Sequence, residues 1–303
     1  MQLRLLAVPA VAGLALVACG SDNNSTGASP AATATATPTA APCVTGSITA
    51  SGSTALQPLV SKAAELYQAK CPGATITVSG GGSSTGLSNV ASGASDIGDS
   101  DVPVSNAKAI DPTTVKDHQV AIAVFGVIVN PGAGVSNLTT AQVKDVFSGK
   151  VTNWKDVGGK DVPVTLIERK PGSGTRLSFD KIIMGTTPEA ANPASTQDST
   201  QLVLSGVGGA TAPPGAVSYL VVSSANSSVV ALSIDGAKPN EADLKAGKYK
   251  LFSHEHMYTK TTPAPLADAF INYMLTPDFQ TTTVSQLGYL PLADTTEQSA
   301  ADQ

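Results

Sequence analysis

Three times along this chain a strand-forming run breaks into a short loop of Gly, Ser and Thr and passes at once into a helix-forming segment. The loops are Ser51-Gly52-Ser53-Thr54 before Ala55, Gly80-Gly81-Gly82-Ser83-Ser84-Thr85-Gly86 before Leu87, and Gly172-Ser173-Gly174-Thr175 before Arg176. From Ser47 onward, strand-length apolar runs alternate with segments of helical period, which confines the chain to an α/β architecture around a mainly parallel sheet. Ile48 to Ala50, Ile76 to Ser79, Val120 to Asn130 and Val162 to Ile167 read as strands, being rich in Val and Ile and bounded by Gly, Pro or Asn. The clearest helix runs from Ala55 to Ala69, with Leu56, Leu59, Val60, Ala63, Leu66 and Tyr67 on one face and Pro58 in the first turn, where proline is tolerated. Thr139 to Phe147, Thr175 to Met184, and Leu266 to Leu275 continuing toward Val284 share that period.

A helix N-terminus carries unpaired N–H groups and a partial positive charge, so each loop is suited to an oxyanion. Glycine lets the backbone approach and the hydroxyls donate. Taken singly, each loop is equally a helix cap followed by a turn residue. Two further residues change the balance: Arg169, three positions before the third loop, and Asp101, ending the run Asp96-Ile97-Gly98-Asp99-Ser100-Asp101. They offer a cation for the charge and an acceptor for a proton, which is what a partly protonated oxyanion needs. Net charge is −5, with no basic patch, so nucleic acid is excluded as a partner and any anion site must work through local dipoles and one or two fixed cations.

The motifs Gly52-Ser53-Thr54-Ala55-Leu56-Gln57-Pro58-Leu59, Gly80 to Gly86, Asp96 to Asp101, Arg169 to Arg176, Pro214-Gly215-Ala216-Val217-Ser218-Tyr219 and Gly288-Tyr289-Leu290-Pro291-Leu292 occur in this order. Together they resemble the phosphate-binding proteins of bacterial ABC phosphate importers, a likeness spanning about Ser47 to Leu292. The resemblance implies a two-lobed, type II periplasmic-binding-protein fold whose lobes, joined by two hinge strands, close on one dehydrated phosphate. It implies no enzymatic activity and no cofactor, and a monomer that partners the permease of an importer. Residues 47–122 plus 222–292 would form the first lobe, 123–221 the second, and 293–303 a C-terminal tail. Carried over position by position, it implies ligand contacts from Thr54, the backbone of Ala55, Ser83, Asp101, Arg169, Ser173, Gly174 and Thr175, with Asp101 accepting the ligand proton. Ser84 stands where many relatives have Gly, Asp99 adds a carboxylate where a small residue is common, and Gly206 to Pro214 departs from the family pattern.

The N-terminus adds a location. Arg4, the apolar run Leu5 to Val17 and the close Leu16-Val17-Ala18-Cys19 resemble a lipoprotein signal peptide over residues 1–19, with Cys19 as the lipidated residue; an ordinary secretory leader is the alternative. Residues 20–46, mostly Ser, Thr, Ala and Pro, read as a tether that holds the protein at the outer face of the cytoplasmic membrane. Export implies an oxidising compartment, where Cys43 and Cys71 are expected to form a disulfide, two free thiols being the other reading.

Other chemistries compete. Gly82-Ser83-Ser84-Thr85-Gly86 satisfies the G-x-S-x-G pattern, which would make Ser84 the nucleophile of a secreted hydrolase, yet His118, His254 and His256 are the only histidines and none lies in a late loop with a convincing acidic partner. His254 and His256 would share a strand face, but no third metal ligand is apparent, and a partly exposed strand is the plainer expectation. Gly80 to Gly86 has neither dinucleotide spacing nor a P-loop lysine. Trp154 is expected to pack within its own lobe. The same fold could also serve sulfate or molybdate, or act as a phosphate sensor.

Overall fold

The computed structural model describes residues 43–107, 109–294 and 299–302. Cys19, the leader and most of the expected tether lie outside the described residues. The chain opens with β1 (Gly46–Gly52), α1 (Gln57–Lys70), β2 (Ala74–Ser79), α2 (Ser83–Ser92) and β3 (Ile97–Ser100), a βαβαβ run in which β1 pairs in parallel with both β2 and β3. The first helix starts two residues later than its pattern suggested, because Ser53 Oγ accepts the amides of Ala55 and Leu56 and holds that segment as a turn. Its apolar stripe is buried, and Tyr67 meets Phe270 and Tyr273 edge-on.

The 15-residue strand β4 (Val115–Val129) then crosses the molecule. It is followed by β5 (Asn137–Leu138), α3 (Thr140–Phe147), β6 (Thr165–Arg169), α4 (Gly174–Phe179), β7 (Ser195–Gln197), α5 (Thr200–Gly208), β8 (Ala216–Val221), β9 (Val230–Ala231), β10 (Ser233–Ile234), α6 (Glu241–Lys245), β11 (Phe252–Lys260) and α7 (Pro265–Met274). The sheet order β2-β1-β3-β11-β4-β8-β6-β7 contains two parallel blocks, β2-β1-β3 and β8-β6-β7, joined through antiparallel β11 and β4. This is the two-lobed α/β arrangement, with β4 pairing β11 over its first part and β8 over Phe125 to Val129. β9 pairs with Ile128 and Val129, and β10 with β5, so residues 230–234 lie beside the second block, and β11 returns to pair with β3. The physical reason is that Val230, Leu232 and Ile234 have apolar surface to cover there.

The second block is held by Phe147, Phe179 and Tyr219, the last two stacked at 4.1 Å. Trp154 is fully buried, as expected, and its indole N–H donates to Gly215 O at 2.9 Å. The expected disulfide is present: Cys43 and Cys71 are bonded, with Cα atoms 5.4 Å apart, and fasten the foot of β1 to the end of α1. Closing a loop of this length restricts the unfolded chain by roughly 3–4 kcal/mol at most. Among the described residues no helix is long and apolar enough to cross a membrane.

His254 and His256 do share a face of β11, but that face is buried instead of partly exposed. Residues 299–302 cover it. Ser299 Oγ donates to Phe252 O, and the Asp302 carboxylate lies against His254 Nδ1, with His256 Nε2 at 3.7 Å. On its other side His256 Nδ1 meets Asp117 at 2.9 Å. Burial alone would push His256 down, yet Asp117 and Asp302 outweigh it and hold the ring up at about 9. Burial would likewise raise Asp302, yet the two histidines hold it down at about 2.

The sign of each contribution sets a window. His256 stabilises the fold fully below its ordinary 6.5, and this is lost as pH rises through about 9. Asp302 contributes above its ordinary 3.8, and this is lost as pH falls through about 2. Asp302→Asn should therefore cost about 1–3 kcal/mol in urea unfolding at about pH 5–6 and progressively less as pH rises from 6.5 through about 9. A cost independent of pH across that range would show that the ion pairs do not hold the segment.

Candidate anion-binding site

The three Gly/Ser/Thr loops meet at one point, at the carboxyl ends of β1, β2 and β6. Gly82 N donates to Gly52 O at 2.8 Å within the first block, and Ser84 N donates to Gly172 O at 3.1 Å across to the second. Two glycines make the approach possible. Gly52 sits at φ +142°, and a Cβ there would strike the backbone of Asp99; a Cβ on Gly174 would strike Ser83 Oγ and the Asp101 side chain.

Asp101 is at the centre, 1% exposed. Ser53 Oγ donates to its Oδ1, and Thr175 Oγ1, from the first turn of α4, donates to its Oδ2 at 2.8 Å. Its own amide donates to Ser83 Oγ at 3.0 Å, which fixes the turn after β3. Arg169, at the end of β6 and also 1% exposed, donates from Nη2 to Thr54 Oγ1 at 3.1 Å, while its Nε and Nη1 are buried without a hydrogen-bond partner among the described residues. Burial lowers the Arg169 pKa and the negative charge of Asp101 opposes this; a guanidinium remains charged in either case. Ser173 caps α4, accepting Arg176 N at 3.3 Å, and Gly174 follows. All the residues expected from the sequence, Thr54, Ala55, Ser83, Asp101, Arg169, Ser173, Gly174 and Thr175, thus lie in one cluster.

Arg176, seven residues on, is not a second free cation. It pairs with Glu168 at 3.3 Å, with Glu189 and, at 3.7 Å, with Asp180, and it donates to the Arg169 carbonyl. Burial, then the charge of Asp180, pushes Glu189 up to about 8, so this Arg sits among carboxyl groups that do not all ionise together. Lys170 pairs with Asp198 at 3.1 Å on the surface. The cluster therefore has one buried guanidinium with N–H groups to spare, an acceptor-only carboxylate, and hydroxyls and amides from several loops. Beside it a cleft of about 540 Å³ is lined by Thr54, Gln57, Gly82, Thr85, Lys170 and Ser173.

Sequence reasoning missed several members. Ser53 supplies a hydroxyl to Asp101. Thr200, at the start of α5, joins through its amide and hydroxyl to Thr54 Oγ1, each at 3.2 Å. The signal was present: Ser199-Thr200 follows β7 in the same strand-to-helix manner, without glycine, and Ser199 caps α5. Glu255 and Ser253 of β11 reach the site from behind, Ser253 Oγ donating to Asp101 O. Asp99, noted as unusual, is fully buried, and burial, then the charge of Asp101, raises its pKa well above the carboxylate range. Ser84 lies in the first turn of α2, while His118 meets Thr259, His254 meets Asp302 and His256 meets Asp117, so none of these rings is hydrogen-bonded to Ser84. Among the described residues no group of His, Cys, Asp and Glu is arranged to hold a metal.

The chain resembles known proteins over most of its length. Residues 33–278 match the PBP superfamily domain. The phosphate-binding protein PstS of Bacillus subtilis is 42% identical over 252 residues, 82% of each chain. A Clostridium perfringens protein assigned to phosphate ABC transport, solved with bound phosphate, superposes with a TM-score of 0.75 at 28% identity, over 82% of this chain and all of that one. An ABC-type phosphate transport receptor from Vibrio cholerae gives 0.64 at 26% identity, over 80% of this chain and 99% of that one.

Proposed function

This chain belongs to the PBP superfamily and, within it, to the PstS-like solute-binding proteins, and from that premise we propose that it captures inorganic phosphate outside the cytoplasm and delivers it to an ABC importer. The family is a non-enzymatic one, and the site works by binding alone. The observation that carries the reading is the presence in one cluster of two buried, oppositely charged groups that do not bond each other: Asp101, which can only accept hydrogen bonds, and Arg169, whose Nε and Nη1 still have donors to give. A dehydrated, singly protonated phosphate satisfies both. Its oxygens take the Arg169 fork, the hydroxyls of Thr54, Ser83 and Ser173 and the amide of Gly174, and its proton goes to Asp101; the Thr175 hydroxyl and the Ala55 amide, which here donate to Asp101 and to Ser53 Oγ, join only by exchanging those bonds for the ligand.

The lobes in this reading are residues 47–122 with the chain after β11, and 123–221 with β9 and β10. The direct hydrogen bond between loops of the two blocks supports a closed state, in which water exclusion strengthens each bond to the ligand. Cys19 would carry the lipid that tethers the protein, a monomer in this reading, to the outer face of the cytoplasmic membrane, close to its permease.

Sulfate has the shape of phosphate but no proton near neutral pH. Against Asp101 it would leave two desolvated acceptors facing each other, so specificity comes from a repulsive element as much as from attraction. Two variants test the roles by competition of unlabelled phosphate and sulfate against labelled phosphate. Asp101→Asn, whose amide can donate, should weaken phosphate and narrow its advantage over sulfate; an unchanged ratio would remove Asp101 from the reading. Arg169→Ala should lose roughly 1.5–3 kcal/mol of phosphate binding, about tenfold to more than a hundredfold in Kd, and Lys should restore little of it. Parent-like affinity in the Ala variant would contradict a charge role.

A further inference from the structure

Behind Asp101, on the side away from the loops, stands a second buried carboxyl group. Glu255 lies on β11 next to the register shift between Glu255 and His256 and is 0% exposed, and because His256 pairs with Ser100 in the antiparallel β11–β3 ladder, Glu255 stands across from Asp101, close enough for the two carboxyl groups to interact. Neither Glu255 oxygen has a donor from any described residue. The nearest candidates are committed elsewhere: Tyr289 O–H donates to Ala55 O, and Ser253 O–H to Asp101 O. The titratable groups around Glu255 are Asp101 and Asp99 on and after β3, Asp302 of the C-terminal segment, and Tyr289. Not one of them is a cation.

Two ionised carboxylates are both acceptors, so buried face to face without a donor they would each be desolvated and unpaired. One proton between them removes the conflict. Asp101 has the Ser53 and Thr175 hydroxyls to support its charge, and Glu255 has nothing comparable, so the proton belongs on Glu255. We propose that Glu255 is a positioning residue for the anion site, a neutral carboxylic acid that donates a hydrogen bond to Asp101 and so fixes the carboxylate oxygens that face the ligand. Burial and the negative charge of Asp101 act in the same direction, raising the Glu255 pKa well above the carboxylate range. The consequence for function, which rests on the reading of Asp101 as the acceptor of the phosphate proton, is twofold. The lone pairs left to Asp101 are aimed toward the loops, and the site keeps one negative charge opposite Arg169 instead of two.

The full chain, stripped of ligand, provides the test through phosphate affinity of the parent, Glu255→Gln and Glu255→Leu near neutral pH. Gln keeps a donor at nearly the same place and should bind phosphate within about threefold of the parent, whereas Leu, of similar bulk but without a donor, should lose about tenfold or more. Equal losses in both variants, or no loss in either, would overturn the proposal. A parent that fails to bind phosphate would instead sink the phosphate reading itself. If the Gln variant does not fold, the parent alone decides: with ¹³C-labelled glutamate, an infrared band of a protonated carboxyl at about pH 9, above the ionisation of Glu189, should shift when phosphate is added. Absence of that band would contradict the assignment.

Discussion

A carboxylate cannot be taken out of water cheaply, and Asp101 is taken out of water completely. Everything around it is arranged to make that tolerable. Ser53 and Thr175 donate to its two oxygens from opposite blocks of the fold, its amide is pinned by Ser83, and Arg169 supplies the compensating charge from the end of β6. Two buried opposite charges that do not bond each other add little net stability, since the desolvation of both ions offsets their attraction. What they provide is selectivity, because each group has hydrogen-bonding capacity that only a particular kind of ligand completes.

The fold explains why these groups can meet. Strand-to-helix loops place hydroxyls and free amides at the carboxyl ends of parallel strands, and β4 and β11 join the two blocks in one sheet. Gly52 and Gly174 let backbones approach to where a methyl group would not fit, so the hydroxyls reach Asp101 directly. The same long strands carry the rear of the site: β11 contributes Ser253 and Glu255 toward Asp101, and His254 and His256 toward Asp302. The C-terminal segment thus packs against the strand that supports the ligand-facing carboxylate.

Much of this was legible in the sequence where local chemistry decides the outcome. Gly, Ser and Thr between a strand and a helix also serve as plain caps and turns, and it was their threefold recurrence together with Asp101 and Arg169 that made the loops and α1 readable from residue types and spacing. The parts that were not legible depend on partners distant in the chain. Ser253 to Lys260 contains two histidines, a glutamate and a lysine and looks like a surface strand, yet it is buried because Asp117, Asp101 and Asp302 complete it. Whether Ser53 or Thr54 faces Asp101 is set by one turn of backbone. Thr175 to Met184 has a single helical period, but the regular helix stops at Phe179 and continues to Met184 as a wider turn. The short strands β9 and β10 find their pairing beside the second block, information that no local pattern contains.

The account's central claim is that a desolvated acceptor, Asp101, admits an oxyanion only if that oxyanion brings a proton. Calorimetric titration of the ligand-stripped parent with phosphate and with sulfate, under identical buffer and salt, addresses it most directly. Phosphate should saturate the protein at one equivalent while sulfate gives no binding heat at the same concentrations. Comparable affinities for the two anions would contradict the claim.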